Sequence, residues 1–386
     1  MIERLIKFLA VSAVFTALFA CSSEPSQVPA ELVDIDRPVP VERVWHTDVG
    51  SGDNELRLQF EPFISGQTIY TVDVDGELNA LDRQSGKEVW SRDLNQRISG
   101  GISGDSQRLY VSSFQGELIA LSRENGSELW RSALSSESLS VAASDGATVV
   151  AHSSDGRMFA FSTSDGEQLW RYDSETPILS IRGTSSPVIR ENTVLVGLAT
   201  GELVALNLVD GRKLWDVDLA VPSGRTELER LVDSDGEFVE LYGVLFATAF
   251  QGELKAIDPV SGAEAWNKPL SSLTGVAASR EFEMLVSGDA DGVVVAVEAM
   301  SGKEMWRSEE LLYRRLGRIA ILEGYALVSD FEGYIHFFDL SDGEIAARVR
   351  PDRDGVMGRV NVADNVAYVY TRSGDLYAYQ LEKDSD

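Results

Sequence analysis

Short runs of β-branched and aromatic residues, such as Thr68-Ile69-Tyr70-Thr71-Val72, alternate along this chain with polar, Gly-containing turns, and no amphipathic helical spacing intervenes between them. The alternation is itself repeated eight times, with a period near 40 residues. Its fullest form reads Asp75-Gly76-Glu77-Leu78-Asn79-Ala80-Leu81-Asp82, then Ser85-Gly86-Lys87-Glu88-Val89-Trp90. The key glycines are Gly76, Gly116, Gly156, Gly201, Gly252, Gly292, Gly333 and Gly374. A Trp stands 14 residues after each of the first six, at Trp90, Trp130, Trp170, Trp215, Trp266 and Trp306. The seventh repeat has Ala347 there, and the eighth ends before reaching the position.

Each key Gly follows a turn former or small polar residue, such as Asp75, Gln115 or Ser373. That pair, set between β-rich segments, predicts a two-residue hairpin, because the turn needs positive φ. Downstream come a Gly-containing turn and a strand carrying the Trp; upstream, a short apolar stretch such as Pro187-Val188-Ile189 supplies an innermost strand. Four antiparallel strands per repeat make a propeller blade, and no hexapeptide, nonapeptide or Leu-rich period supports a solenoid. The eighth repeat ends after its third strand, and Val41-Glu42-Arg43-Val44-Trp45 supplies the missing fourth. The predicted fold is all-β: an eight-bladed β-propeller of four-stranded antiparallel blades over residues 41–383, its last blade closed by the N-terminal strand, with no raw sheet edge at the join.

Four residues after the key Gly stands Ala80, Ala120, Ala160, Ala205, Ala256, Ala296 or Ala378, with Phe337 the exception. In an antiparallel hairpin these positions neighbour the Trp across the strands, so each Trp is expected over its own blade's Ala, with the pair reversed as Phe337 and Ala347. A Trp ladder can stack ligands. An inter-blade girdle explains it better, since burying a large aromatic contributes roughly 2–3 kcal/mol.

Residues 1–20 read as a lipoprotein signal peptide: Arg4 and Lys7 precede an apolar run at 8–19 that is too short to span a bilayer. Leu18-Phe19-Ala20-Cys21 resembles a bacterial lipobox with Cys21 as the lipidated residue, the alternative being an ordinary signal peptide with a stray Cys. Ser22 after it resembles lipoproteins sorted to the outer membrane, and the Ser-, Pro- and Glu-rich segment through residue 40 reads as a flexible tether. With one Cys, no disulfide forms within the chain. Residues 1–20 carry Glu3, Arg4 and Lys7, a net +1, so without them the charge falls from −28 to −29. Such a chain repels phosphates, which argues against a nucleic-acid partner and leaves basic or polar protein surfaces, or simple solvation.

Reaction chemistry is missing. There is no nucleophile elbow, no phosphate-cradling Gly-rich loop and no Cys or His pair at metal spacing, and His46, His152 and His336 fall in separate repeats. Asp73-Val74-Asp75-Gly76 and Asp233-Ser234-Asp235-Gly236 look like calcium-loop fragments, but Gln84 and Val244 stand where the closing Glu belongs. No cofactor or metal is expected.

From Trp to the next key Gly the chain normally takes 26 or 27 residues; Trp45 to Gly76 and Trp170 to Gly201 take 31, and Trp215 to Gly252 takes 37. These connections between blades all emerge on one propeller face, where insertions mark a binding surface. The first of the adjacent pair contains Pro177-Ile178-Leu179-Ser180-Ile181-Arg182-Gly183, aliphatic anchors beside an Arg, as in an interface hot spot. The second carries Glu227-Leu228-Glu229-Arg230-Leu231-Val232-Asp233-Ser234-Asp235. A plainer reading has Leu179 and Ile181 start a buried strand while the acids decorate a solvated loop.

Ala-Leu-Asp followed by Ser-Gly-x-x-x-Trp resembles the pyrroloquinoline-quinone-type β-propeller repeat. With the lipobox, eight blades and the segments 179–183 and 233–235, residues 40–382 resemble the BamB family, non-catalytic lipoprotein subunits of the outer-membrane β-barrel assembly machinery. The resemblance implies docking on the periplasmic POTRA region of BamA, contacts with other subunits of that complex, help in folding and inserting outer-membrane proteins, and a lipid anchor on the periplasmic face of the outer membrane. It implies that Leu179 and Ile181 are apolar anchors, Arg182 a charged donor, and Asp233 and Asp235 acceptors, with Ile181 replacing a Leu often found there. The rival is a periplasmic quinone-dependent dehydrogenase on the same fold. Its members typically carry a vicinal Cys pair, impossible with Cys21 alone.

Overall fold

The computed structural model describes residues 27–382 apart from 178, 180–184, 227, 235 and 237; the signal-peptide and lipobox positions, Cys21 included, lie outside them. Eight four-stranded sheets follow one another. Blade 1 is built from Phe63–Ser65, Thr68–Val72, Glu77–Asp82 and Glu88–Asp93, paired in order and antiparallel. Blades 2 to 7 repeat that meander, and the first strands of neighbouring blades touch around the central axis. In blade 8 the N-terminal strand Val41–Asp48 pairs with Asp375–Leu381, setting Trp45 opposite Ala378. The ring closes as the sequence predicts.

The key hairpin differs from the expectation by one residue. Gly76 N–H donates to the Asp73 carbonyl at 3.3 Å and Asp73 N–H to the Glu77 carbonyl at 3.1 Å, leaving three residues in the loop. This is a type I turn closed by a left-handed Gly, φ +97° at Gly76, rather than a two-residue turn. The requirement for positive φ holds, and in blade 5 Gln251 takes it instead of Gly252.

Every Trp is paired directly across from its small partner: Trp90 with Ala80, Trp130 with Ala120, and so on round the ring, with Phe337 opposite Ala347. The middle residue must be small because a ring on either side meets above it. Tyr70 pairs with Ala80 from the second strand, and its ring centroid lies 6.0 Å from that of Trp90. Tyr110 with Trp130 and Phe246 with Trp266 repeat the arrangement.

The indole then reaches beyond its own blade. The Nε1–H of Trp130 donates to the Thr163 carbonyl at 2.9 Å, and its ring packs on Gly166 so closely that a Cβ there would sit 2.6 Å from it. Thr163 and Gly166 belong to the turn between the third and fourth strands of the next blade. Trp170, Trp266, Trp306 and Trp45 donate likewise to Leu208, Ala299, Leu340 and Arg83. All seven Trp rings, Trp215 included although its Nε1–H has no partner among the described residues, pack as latches on the turn Gly of the following blade, which accounts for the constant spacing of that Gly within the repeat.

That geometry explains the exception. Blade 8 has no turn between its third and fourth strands, because the former ends at Leu381 and the latter begins at Val41. A Trp at position 347 would have nothing to latch. Phe337 fills the middle of blade 7 instead, in a cluster with Val360, Tyr377, Tyr379 and the partly buried Val39 and Val41. Residues 27–40, expected within a flexible tether, are bonded to the propeller here. Ala30 N–H donates to the Leu312 carbonyl, Val39 N–H to the Ala346 carbonyl, both at 2.9 Å, and Ile35 packs on the core of blades 6 and 7.

Candidate docking face

In each blade the turn between strands two and three and the connection to the next blade leave on the same side, because the four strands alternate in direction. All the long insertions therefore open on one face, called here the mouth. The connection from blade 3 to blade 4 runs between Gln168–Asp173 and Val188–Arg190. Its start is fixed by Ser174 Oγ donating to the Gly156 carbonyl at 2.6 Å and Thr176 Oγ1 to the Asp155 carbonyl at 3.0 Å. Its end is fixed by Ser185, whose carbonyl lies 3.0 Å from Nδ1 of the buried His152, and by Ser186, whose Oγ accepts the Val141 N–H at 3.0 Å. Burial holds the His152 pKa below its ordinary value, so the ring is neutral and its Nδ1–H is the donor. Between these roots Leu179 is 42 % exposed. It is offered to solvent and does not begin a buried strand. Ile181 and Arg182 lie outside the described residues.

The side chain of Asp155, whose backbone carbonyl anchors the first root, is held ionised. Burial alone would raise the Asp155 pKa, but hydrogen bonds from Ser153 and Ser135 and the Arg157 charge outweigh it and bring it below the ordinary value. Arg157 also reaches Asp173 at 2.9 Å, tying the hairpin to the strand that feeds the loop.

The second insertion lies on the adjacent blade. Asp233 is only 1 % exposed. Its carbonyl accepts the Phe250 N–H at 2.7 Å, while Ser234 Oγ donates to the Leu198 carbonyl at 2.7 Å. A Cβ on Gly197 would come within 2.1 Å of the Ser234 carbonyl oxygen, so a glycine is required for this contact. The segment welds blade 4 to blade 5, and Asp233 sits in the weld rather than on the surface. Asp235 lies outside the described residues.

One apolar position escaped the sequence reading. Leu228 is 71 % exposed, on a turn capped by Glu229, whose carboxylate accepts the N–H groups of Arg225 at 2.6 Å and Thr226 at 3.2 Å. Those bonds hold the Glu229 pKa down. Thr226-x-x-Glu229 is a capping-box pattern, and that signal predicts a short helical turn displaying Leu228. The mouth thus presents Leu179 and Leu228 from adjacent connections.

Two cavities open elsewhere. One of about 760 Å³ lies at the mouth between blades 6, 7, 8 and 1, lined by Arg57, Arg315, Asp354 and the exposed Leu273 and Phe331. The other, about 840 Å³, is the central channel, lined by the first strands. Among the described residues no group of three His, Cys, Asp or Glu converges as a metal site.

The family model described as outer membrane protein assembly factor BamB matches residues 41–94, 74–308 and 290–384. The chain is 44 % identical to the outer membrane protein assembly factor BamB of Pseudomonas aeruginosa over 377 residues, covering 97 % of this chain and 99 % of that relative. Among solved structures, BamB from Moraxella catarrhalis superposes with a TM-score of 0.81 at 24 % identity, over 88 % of this chain and all of that one. The quinohemoprotein alcohol dehydrogenase of Comamonas testosteroni reaches a TM-score of 0.69 at 12 % identity over 92 % of this chain and 79 % of its own, a likeness of fold alone.

Proposed function

The chain belongs to the family of the outer membrane protein assembly factor BamB, an assembly-factor family rather than an enzyme family, and from that premise we propose that it is a lipid-anchored scaffold docking its mouth face on the POTRA region of BamA. Cys21 carries the lipid and holds the protein to the outer membrane from the periplasmic side. Residues 41–382 form the propeller, which contacts other subunits of the complex and assists unfolded outer-membrane proteins on their way to insertion.

The observation that carries the reading is Leu179, an exposed aliphatic side chain on a loop whose first root is bonded to blade 3 and whose second, at Ser185, is bonded to His152 of blade 3 and to the Gly197 N–H of blade 4. Holding an apolar anchor in place before binding lowers the ordering cost of association. Leu179 and Ile181 supply apolar anchorage, Arg182 a charged donor, and Asp235 an acceptor. Asp233 acts through its place in the weld between blades 4 and 5, so its substitution should disturb the loop as well as the contact.

Arg182→Glu tests the face. Truncating one partner of a buried charged contact costs about 2–5 kcal/mol, so capture of purified BamA POTRA domains should weaken by roughly 30-fold or more while the melting temperature stays unchanged. Undiminished capture by a folded Arg182→Glu protein would remove the mouth loops from the interface.

A further inference from the structure

The first propeller strand begins at Val41, beside Leu381 and Glu382, on the face opposite the mouth. A tether that simply hung from it would leave the molecule on that far side. The chain does something else. Between Ala30 and Val39 it runs along the outer strand of blade 7, Ile345–Val349, and ends against Leu312 in the mouth-side connection between blades 6 and 7.

Two arginines grip this strap by its backbone. Arg314 donates to the Ala30 carbonyl at 2.9 Å and Arg348 to the Val33 carbonyl at 3.0 Å. Behind them is a continuous buried network. Arg314 Nε lies 2.7 Å from the Asp330 carboxylate, His336 Nε2 lies 3.0 Å from the same oxygen, and Arg348 Nε lies 3.1 Å from His336 Nδ1. The Arg314 side chain is almost wholly buried, and those of Asp330 and His336 completely so. Charged groups are taken out of water when bonds compensate them, and here those bonds orient two guanidinium groups at strap carbonyls.

We propose that this network is a clamp that moves the exit of the lipid-bearing tether from the far face to the mouth rim at blades 6 and 7, and so turns the mouth face toward the membrane. Nine residues separate Cys21 from Ala30, a reach of at most about 30 Å from the rim. Twenty separate it from Val41, about 70 Å from the opposite face were the strap free. The orientation rests on the lipid-anchor reading of Cys21; the clamp itself does not.

Two measurements separate them. Hydrogen exchange on the full chain reads the clamp without any lipid: the Ala30 and Val39 amides should exchange at least about tenfold more slowly than in a Gly-Ser strap variant, in which residues 31–36 are replaced by Gly and Ser at equal length and Arg348 by Ala, so that the Val33 position loses its donor. Equal exchange in a variant that melts like the parent overturns the clamp. For orientation, the acylated protein is bound to phosphatidylethanolamine–phosphatidylglycerol vesicles bearing a headgroup acceptor dye. The donor is placed at Asp354→Cys on the mouth or at Asp342→Cys in the far-side turn of blade 7, both exposed positions. Stronger transfer from the mouth, lost in the Gly-Ser strap variant, is the expected result. Equal transfer from both faces of a vesicle-bound protein overturns the orientation, whereas failure of the parent to float with vesicles, as Cys21→Ser must fail, overturns the anchor.

Discussion

Seven junctions between blades and one seam hold this ring, and they do so by different means. At the seven, a Trp on the outer strand crosses its own blade's Ala and caps the Gly-containing turn between the third and fourth strands of the next blade, as Trp130 does at Gly166. At the seam between blades 7 and 8 there is no turn to cap, and the side of blade 7 is covered by the strap at Ala30 to Val39 with Phe337 behind it. A circular repeat must break its own rule where the chain ends meet. The residues that depart from the pattern mark where that happens.

The largest effect should come from removing a Trp latch together with the strand that completes blade 8. Deleting residues 41–45 strips blade 8 of half its fourth strand and removes the Trp45 latch on Gly86. Trp45 is partly buried, and its loss together with the strand pairing should cost about 3–5 kcal/mol, so calorimetry should show a fall in melting temperature of roughly 10 °C or more. A melt like that of the parent would refute the shared eighth blade.

A reciprocal pair of substitutions sharpens the comparison. Trp130→Ala should lose about 3–5 kcal/mol in denaturant titration, since it leaves a cavity and an unfilled Thr163 carbonyl. Ala347→Trp should restore the repeat yet destabilise by about 1–3 kcal/mol, because position 347 is buried and the following blade offers no turn to receive the ring. If Ala347→Trp stabilised the protein, the missing turn would not be the reason for the missing Trp.

Most of this frame is legible in the sequence because each blade solves the same local problem. Gly76 announces a left-handed turn, and Ala80 with Trp90 announces a cross-strand pair. The Trp's target was not legible, since Gly166 lies 36 residues beyond Trp130 and only the ring geometry brings them together. The tether misled for a related reason. Its Ser, Pro and Glu composition is that of a linker, but its contacts run through backbone carbonyls held by Arg314 and Arg348, and a backbone contact leaves no mark on the side chains that accept it. The long connections that open on the mouth were readable as insertion lengths. Asp233 was misplaced because a carboxylate in an insertion reads as exposed, whereas the bonds of Ser234 and of the Asp233 carbonyl pull this one into the weld.

The smallest expected effect contrasts a histidine in a latched blade with one at the seam. His152 and His336 are both buried, and burial pushes both pKa values below the ordinary 6.5. The folded state therefore favours the neutral ring, the unfolded chain binds the proton more readily, and the stability each supplies is complete above about pH 6.5 and declines as pH falls below it. Asp330 does not obscure this window. Burial would raise its pKa, but bonds from His336 and Arg314 more than reverse that and hold it below 3.8, so its own contribution is lost only in stronger acid. Protonating His336 removes the acceptor for Arg348 and places a second cation beside it, while Asp330 gains attraction; Glu332 remains bound to Arg314, and Tyr334 flanks the ring at 6.1 Å. Protonating His152 leaves its bond to the Ser185 carbonyl intact and sets only a desolvated charge in blade 3. Between pH 7 and 5 the melting temperature should fall by a few degrees. His336→Gln should abolish the part of that fall that accompanies faster exchange of the Ala30 and Val39 amides, and His152→Gln the part that does not. Acid-induced exchange at the strap that persists in His336→Gln would assign the pH response to some other group.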